Sequence, residues 1–219
     1  MEEIENLLNI YDKSFDEIKM LEQQVYNFFT LCKDLNTGVP PAVHSLKSRV
    51  KDRDHLKDKL QRKIEEGKTI TSENLFDEIT DLAGVRVIHL YQDQFEQIHT
   101  AILRQIEKGN WVLGEKPKAY TWDPESEAYF KKFDLEVKQK ESFYTSIHYL
   151  VKPHVDFPFY CEIQVRTLFE EIWGEIDHSI NYPQPTENIA CKEQLRVLSR
   201  LVGAGSRLAD SIFRSYYSE

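Results

Sequence analysis

At 219 residues the chain is long enough for one sizeable domain with extensions and too short for two independent cores. Hydrophobic residues make up 41% of it and charged residues 30%, with no apolar run that would span a bilayer and no signal-peptide pattern, which predicts a cytoplasmic protein without a membrane partner. The net charge of -9 excludes a broad surface for nucleic-acid backbone but leaves room for a local basic pocket, and three dispersed cysteines, Cys32, Cys161 and Cys191, exclude a disulfide framework and a zinc site.

Ile4, Leu8, Tyr11, Phe15, Ile18, Val25, Phe28 and Cys32 recur at intervals near three and a half residues and predict a long amphipathic helix with an acidic outer face. Gly38, Pro40 and Pro41 break the pattern, so residues 1–41 read as an N-terminal helix and linker. The next stretch, AVHSLKSRVKDRDHLKDKLQRKIEEGK, has a basic excess that includes Arg49, Lys51, Lys59, Arg62 and Lys63. Such a run is ordinarily a solvated helix face, and a cluster that meets a triphosphate looks the same.

From Thr71, TSENLFDEITDLAGVRVIHLY predicts a capped helix with Leu75, Phe76 and Ile79 inward, a break at Gly84, and a strand through Val85, Val87 and Ile88. Asp81 falls at the turn, and Arg86 points away from the face of Val85 and Val87. Phe95, Ile98, Ile102 and Ile106 predict a further amphipathic helix, and a short strand follows around Trp111 to Leu113. Gly114 to about Glu127 reads as an irregular loop. Lys131, Lys132, Lys138 and Lys140 form another basic patch ahead of FYTSIHYLVKP, a strand with Tyr144, Ser146 and His148 on one face.

The segment from Tyr160 to Tyr182 is the most informative. Phe159, Cys161, Ile163 and Val165 alternate with Tyr160, Glu162, Gln164 and Arg166, so the strand presents an acid, an amide and a base on one face. Thr167 caps a helix with apolar positions at Leu168, Ile172, Trp173 and Ile176. Residues 187–219 read as a C-terminal helix with Leu195, Leu198, Leu201, Val202 and Leu208 as its buried stripe and Gly203-Ala204-Gly205 as a packing site. The chain has no GxxxxGK[ST] and no zinc-type spacing. What remains is two carboxylates, Asp81 and Glu162, among cations. Singly each is an ordinary surface acid, whereas together on neighbouring strands they suit Mg2+ bridging to phosphates.

EITDLAGVRV, ESFYTSIHYLV and CEIQVRTLFEEIWGEIDHSINY, in that order between about Leu46 and Tyr182, resemble the synthetase domain of the RelA/SpoT alarmone family, which transfers pyrophosphate from ATP to the ribose 3′-hydroxyl of GDP or GTP. The resemblance implies an α/β fold, a nucleotidyltransferase-like mixed β-sheet flanked by helices over residues 42–186, with N- and C-terminal helical extensions. It implies Mg2+ on Asp81, with Glu162 as the second metal ligand or as the base for the acceptor hydroxyl. It sets Arg86 against the ATP adenine and Arg49, Lys51, Lys59 and Arg62 or Lys63 on the ATP phosphates. On the acceptor side it implies Tyr144 stacked on guanine, His148, Gln164 and Arg166 in the same pocket, and Lys138 and Lys140 alongside.

Phe143 and Thr145 stand where the family commonly has the glycine and arginine of G-Y-R-S-x-H. This departure supports an alternative, a toxic small synthetase acting on an adenine nucleotide or the 3′ end of tRNA and neutralised by an antitoxin protein. A third reading, a silent nucleotide- or partner-binding module, is disfavoured because both metal acids survive. No His-Asp dipeptide occurs, so the chain is expected to lack the hydrolase half of the long family members, and a regulatory tail after the last helix is likewise not expected. The chain therefore reads as a stand-alone small synthetase, or the synthetase piece of a longer protein, with terminal helices available for homo-oligomer contacts.

Overall fold

The computed structural model describes residues 2–140, 142–182 and 184–218. Glu141 of the ESFYTSIHYLV motif, and Met1 and Glu219 at the ends of the expected extensions, lie outside the described residues. Helix α1, Glu2–Leu31, buries Leu7, Leu8, Tyr11, Ile18, Leu21, Val25 and Phe29 against the sheet. Phe15 sits at the margin of that stripe, edge-on to Tyr11 at 5.8 Å.

After the one-turn helix α2, Lys33–Asn36, the basic segment divides into strand β1, Ser45–Val50, and helix α3, Arg53–Glu65. It is not a single helix face, because Lys47 and Arg49 alternate with Leu46, Ser48 and Val50 at strand period. The Asp52 side chain starts the helix by accepting the N–H groups of Asp54 and His55 at 2.9 and 3.2 Å. Helix α4, Leu75–Glu78, is only one turn, since Thr71 is used in a turn with Asn74 instead of as a cap. Strand β2, Ala83–His89, already contains Gly84, whose backbone has ordinary negative φ, so this glycine is a strand residue and not a break.

Helix α5 is Phe95–Glu107 and strand β3 is Val112–Leu113, as expected. The presumed irregular loop holds strand β4, Lys118–Thr121, and helix α6, Pro124–Phe130. Both are too short for periodicity to announce them. Strand β5, Glu136–Gln139, strand β6, Ser146–Lys152, strand β7, Cys161–Thr167, helix α7, Leu168–Asn181, and helix α8, Ile189–Tyr217, follow.

The strands form one mixed sheet in the order β1-β2-β7-β6-β4-β5, with β3 paired to β6. β7 lies centrally, parallel to β2 and antiparallel to β6. Its apolar side chains Cys161, Ile163 and Val165 join Val85, Val87, Ile147, Tyr149 and Val151 in the core beneath the sheet. Burying each such side chain contributes about 1.5–3 kcal/mol, which fixes which face the alternate polar residues must take.

Thr167 accepts the Glu170 N–H at 3.2 Å and Glu170 caps Thr167 in return, so α7 starts where the sequence predicts. Its inward residues are Glu171 and Trp173, while Ile172 and Ile176 are 48% and 39% exposed, contrary to the expected stripe. On α8 the expected stripe is likewise only partly inward: Leu195 and Val202 are buried, but Leu201 and Leu208 are 63% and 62% exposed. The side turned inward carries Ser199, Ser206 and Asp210. The two helices approach so closely that a Cβ on Gly205 would fall 2.7 Å from the Phe169 ring, and the Trp173 indole donates to the Leu195 carbonyl at 3.1 Å. Small residues permit this contact, and the leucines are displaced to the outer side. Of the cysteines only Cys161 is fully buried, with its thiol pushed well up by that burial, and Cys32 and Cys191 are half-buried.

Candidate active site

The strand register aligns the polar residues of the sheet in rows. Lys47 of β1 lies opposite Arg86 of β2, Arg86 beside Gln164 of β7, Gln164 opposite His148 of β6, and His148 opposite Lys118 of β4. In the neighbouring row Arg49 stands opposite Gly84, which is beside Glu162. With α3 and α7 as walls, this face forms a cleft of about 860 Å³. Arg49, Lys51, Lys59, Arg62, Asp81, Arg86, Tyr144, Glu162, Gln164 and Arg166 all line it. His148, in the same row as Gln164, joins by hydrogen bonds to Glu162 and Tyr144.

Three predicted residues lie elsewhere. Lys63 donates to the Glu78 carbonyl at 2.5 Å, away from the cleft lining. Lys138 pairs with Glu136 at 3.3 Å, and Lys140 sits over the Tyr120 ring at 4.7 Å. Tyr120 in turn meets His148 edge-on at 5.0 Å, so Lys140 is one ring removed from the site.

Asp81 is clasped by Lys51 at 2.9 Å and Lys59 at 2.8 Å. Burial pushes its carboxyl up, but the two ammonium groups outweigh it and bring the pKa from 3.8 to about 2. The folded form has the depressed value, so the stability this cluster contributes is present above pH 3.8 and is lost as pH falls toward about 2. Burial lowers Lys51 against the pull of Asp81, as expected for the more enclosed of the two lysines.

Glu162 is also kept ionised. Burial raises it, yet His148 Nδ1 at 3.0 Å and Gln164 Nε2 at 2.7 Å more than compensate and hold it below the usual carboxylate range. The charge of Asp81 acts in the opposite sense, so the two acids are within electrostatic reach of each other. With the His148 proton on Nδ1, Nε2 accepts from the Tyr144 hydroxyl at 3.0 Å. Arg166 donates to that hydroxyl at 3.4 Å and to Gln164 Oε1 at 2.8 Å, with its guanidinium 5.3 Å from the Tyr144 ring centre. Tyr144 is thereby fixed at the cleft wall with its ring partly free.

Phe143 packs edge-on against Trp122 at 5.3 Å, and Thr145 is buried with its hydroxyl 3.1 Å from that of Thr121. Both departures from the motif therefore serve packing. Glu171 and Glu175 of α7 were not anticipated as site residues: Glu171 meets Arg86 at 2.9 Å and Lys47 at 2.8 Å, and Glu175 meets the same cations at 3.0 and 3.1 Å. Their separation of four residues is the one sequence signal that they share a helix face.

Residues 48–187 match a family described as a region found in RelA/SpoT proteins. The chain is similar to the GTP pyrophosphokinase YwaC of Bacillus subtilis (strain 168), 28% identical over 185 residues, covering 83% of this chain and 76% of the relative. In structure it is similar to small alarmone synthetase 1 from Bacillus subtilis, with a TM-score of 0.68 and 19% identity over 98% of both chains. That protein's complex with its product pppGpp aligns with a TM-score of 0.65 and 19% identity over 96% and 97% of the chains. Its complex with AMPCPP gives 0.59 and 17% identity over 98% and 99%.

Proposed function

The chain belongs to the RelA/SpoT family, and from that premise we propose that it is a small alarmone synthetase, a GTP pyrophosphokinase moving pyrophosphate from ATP to the ribose 3′-hydroxyl of GDP or GTP. The observation that carries this is the convergence of two ionised carboxylates, Asp81 and Glu162, with Arg49, Lys51, Lys59, Arg62 and Arg86 in one cleft. A triphosphate requires such a cationic lining, and phosphoryl-type transfer depends chiefly on position and on charge neutralisation. The synthetase domain is taken as residues 42–186. The relatives' complexes with AMPCPP and pppGpp support an ATP donor and a guanine-nucleotide acceptor.

Mg2+ fits the donor set. Asp81 and Glu162 are hard oxygen ligands that stay ionised when buried, and two such carboxylates suit an ion that keeps waters and takes phosphate oxygens. When bound it would supply charge neutralisation to the transferring phosphates. The chain's own part is positional. The β1 and α3 cations hold the triphosphate, Arg86 offers its guanidinium plane to the donor purine, Tyr144 offers its ring to the acceptor base, and Glu162 is also placed to accept the hydroxyl proton.

Support for a tRNA or adenine acceptor, with an antitoxin partner, rested on Phe143 and Thr145, and both are occupied in packing. Of the four lysines in the basic patch ahead of β6, a candidate footprint for tRNA, two are paired with acids, Lys131 with Glu127 at 2.6 Å and Lys138 with Glu136. No described helix is long and apolar enough to cross a membrane, in keeping with a proposed cytoplasmic role. The outward Leu201 and Leu208 of α8 support contacts between copies of the chain.

Incubating the protein with ATP and Mg2+ against GDP, GTP, AMP and deacylated tRNA, then separating products chromatographically, tests this reading. Formation of ppGpp or pppGpp together with AMP is expected, and its absence with both GDP and GTP would overturn it. Arg86→Ala is expected to weaken binding of AMPCPP by about 1–2 kcal/mol while leaving GDP binding nearly unchanged, because a guanidinium over an aromatic ring contributes about that much when partly desolvated. Separate titrations of the two ligands measure it. Tyr144→Ala is expected to cost about 1–3 kcal/mol in GDP binding, whereas Tyr144→Phe keeps the ring and loses only the hydroxyl's bonds to His148 and Arg166.

A further inference from the structure

A carboxylate buried directly behind the cations of a cleft proposed to bind a triphosphate opposes that substrate electrostatically, so its presence calls for a reason. The Glu171 side chain is 5% exposed and meets Arg86 at 2.9 Å, Lys47 at 2.8 Å and Arg166 at 3.4 Å. These cations stand on three adjacent strands, β2, β1 and β7, and Lys47 and Arg86 are direct cross-strand partners that would repel each other without an anion between them. Gly174 keeps the helix close enough for this contact, since a Cβ there would lie 2.8 Å from Arg166 Nη1.

Each guanidinium thus has one nitrogen anchored on Glu171 and others directed to further partners. Arg86 turns Nε toward Gln164 Oε1 at 3.4 Å. Arg166 turns Nη2 toward Gln164 and the Tyr144 hydroxyl. We propose that Glu171 is a positioning residue that sets Lys47, Arg86 and Arg166 as one unit, tying the orientation of the donor-side arginine to that of the acceptor-side arginine and tyrosine. This rests on the reading of Arg86 as donor-facing and Tyr144 as acceptor-facing.

The test compares wild type, Glu171→Gln, Glu171→Asp, Arg86→Ala and the double variant of Glu171→Gln with Arg86→Ala. KM for ATP and for GDP, kcat and thermal melting are measured for each. Glu171→Gln is expected to raise both KM values about tenfold or more, as loss of alignment in a preorganised site does. In the Arg86→Ala background it should change KM for ATP less than about twofold, because the group it aligns is gone. Glu171→Asp keeps the charge but withdraws it by one carbon, so a raised KM is expected there too, and this variant decides the matter if Glu171→Gln does not fold. Gly205→Ala, which crowds Phe169 outside the cleft, is the stability control and should keep both KM values.

A lower KM for ATP in Glu171→Gln would show that the acid merely repels substrate and would overturn the proposal. So would additive effects with Arg86→Ala, or wild-type KM values in Glu171→Asp. If the wild-type chain makes no guanosine product at all, the proposed function has failed instead, and AMPCPP binding to the same variants still reports whether Glu171 aligns the donor arginine.

Discussion

Asp81→Asn is expected to lower pyrophosphate transfer by about a thousandfold or more, the equivalent of roughly 4 kcal/mol of lost transition-state stabilisation. The substitution is nearly isosteric but removes the charge that Lys51 and Lys59 surround. It therefore has a stability component as well. Lys51, buried with its partner gone, should cost the fold roughly 3 kcal/mol, reduced to the extent that it sheds its proton. The two effects separate when the double variant Asp81→Asn with Lys51→Met is compared with Lys51→Met alone, since Lys51 is itself a proposed phosphate ligand: melting should recover in the double variant while turnover stays far below that of the single. Recovery of turnover together with melting would show that Asp81 acts only as an ion-pair partner.

Glu162→Gln is expected to be comparably severe and to differ in kind. It removes a candidate metal ligand or base, and it also alters the chain of hydrogen bonds from Glu162 through His148 to Tyr144. The amide can present a carbonyl to His148 Nδ1, so melting should change little, whereas kcat should fall by about a thousandfold on the same energetic grounds. KM for GDP should rise and KM for ATP should not if Tyr144 and His148 serve the acceptor, as proposed. Steady-state kinetics with each substrate varied in turn, together with melting curves, provide the check. An unchanged kcat would remove Glu162 from the catalytic group.

Much of this site was legible because its central strand is. In β7 each polar residue falls between apolar ones without interruption, and Thr167 with Glu170 marks the start of α7, so strand, face and boundary all follow from local rules. Asp81 and Arg86 were legible by motif for the same reason, being locally placed at the entry and on the outer face of β2. β1 was obscured because lysine and arginine dominate it and their alternation with Leu46, Ser48 and Val50 is weak in hydrophobic contrast. Helix sidedness failed for a different reason. The 3.6-residue period locates an apolar stripe but does not reveal that α7 and α8 meet through Gly205, with Leu201 and Leu208 turned outward. Glu171 was hidden by both effects: the reason for burying a carboxylate lies in cations from three strands, two of them remote in sequence, and no property of α7 itself records them.

The alignment of charged groups across the sheet has a consequence for how the chain tolerates change. Lys47, Arg86 and Gln164 line the cleft, and His148 joins them from the same face, because their strands are in phase and the side-chain repeat of a strand is two. One residue inserted within β7 would send Gln164 or Arg166 inward and bring Ile163 or Val165 out, inverting everything beyond it. Two inserted residues would preserve the alternation and shift the groups along the strand by roughly 6–7 Å. Assembly of the site is thus a parity condition on strand length: an odd error exchanges the charged face for the apolar one, and an even error leaves a charged cleft whose parts no longer meet.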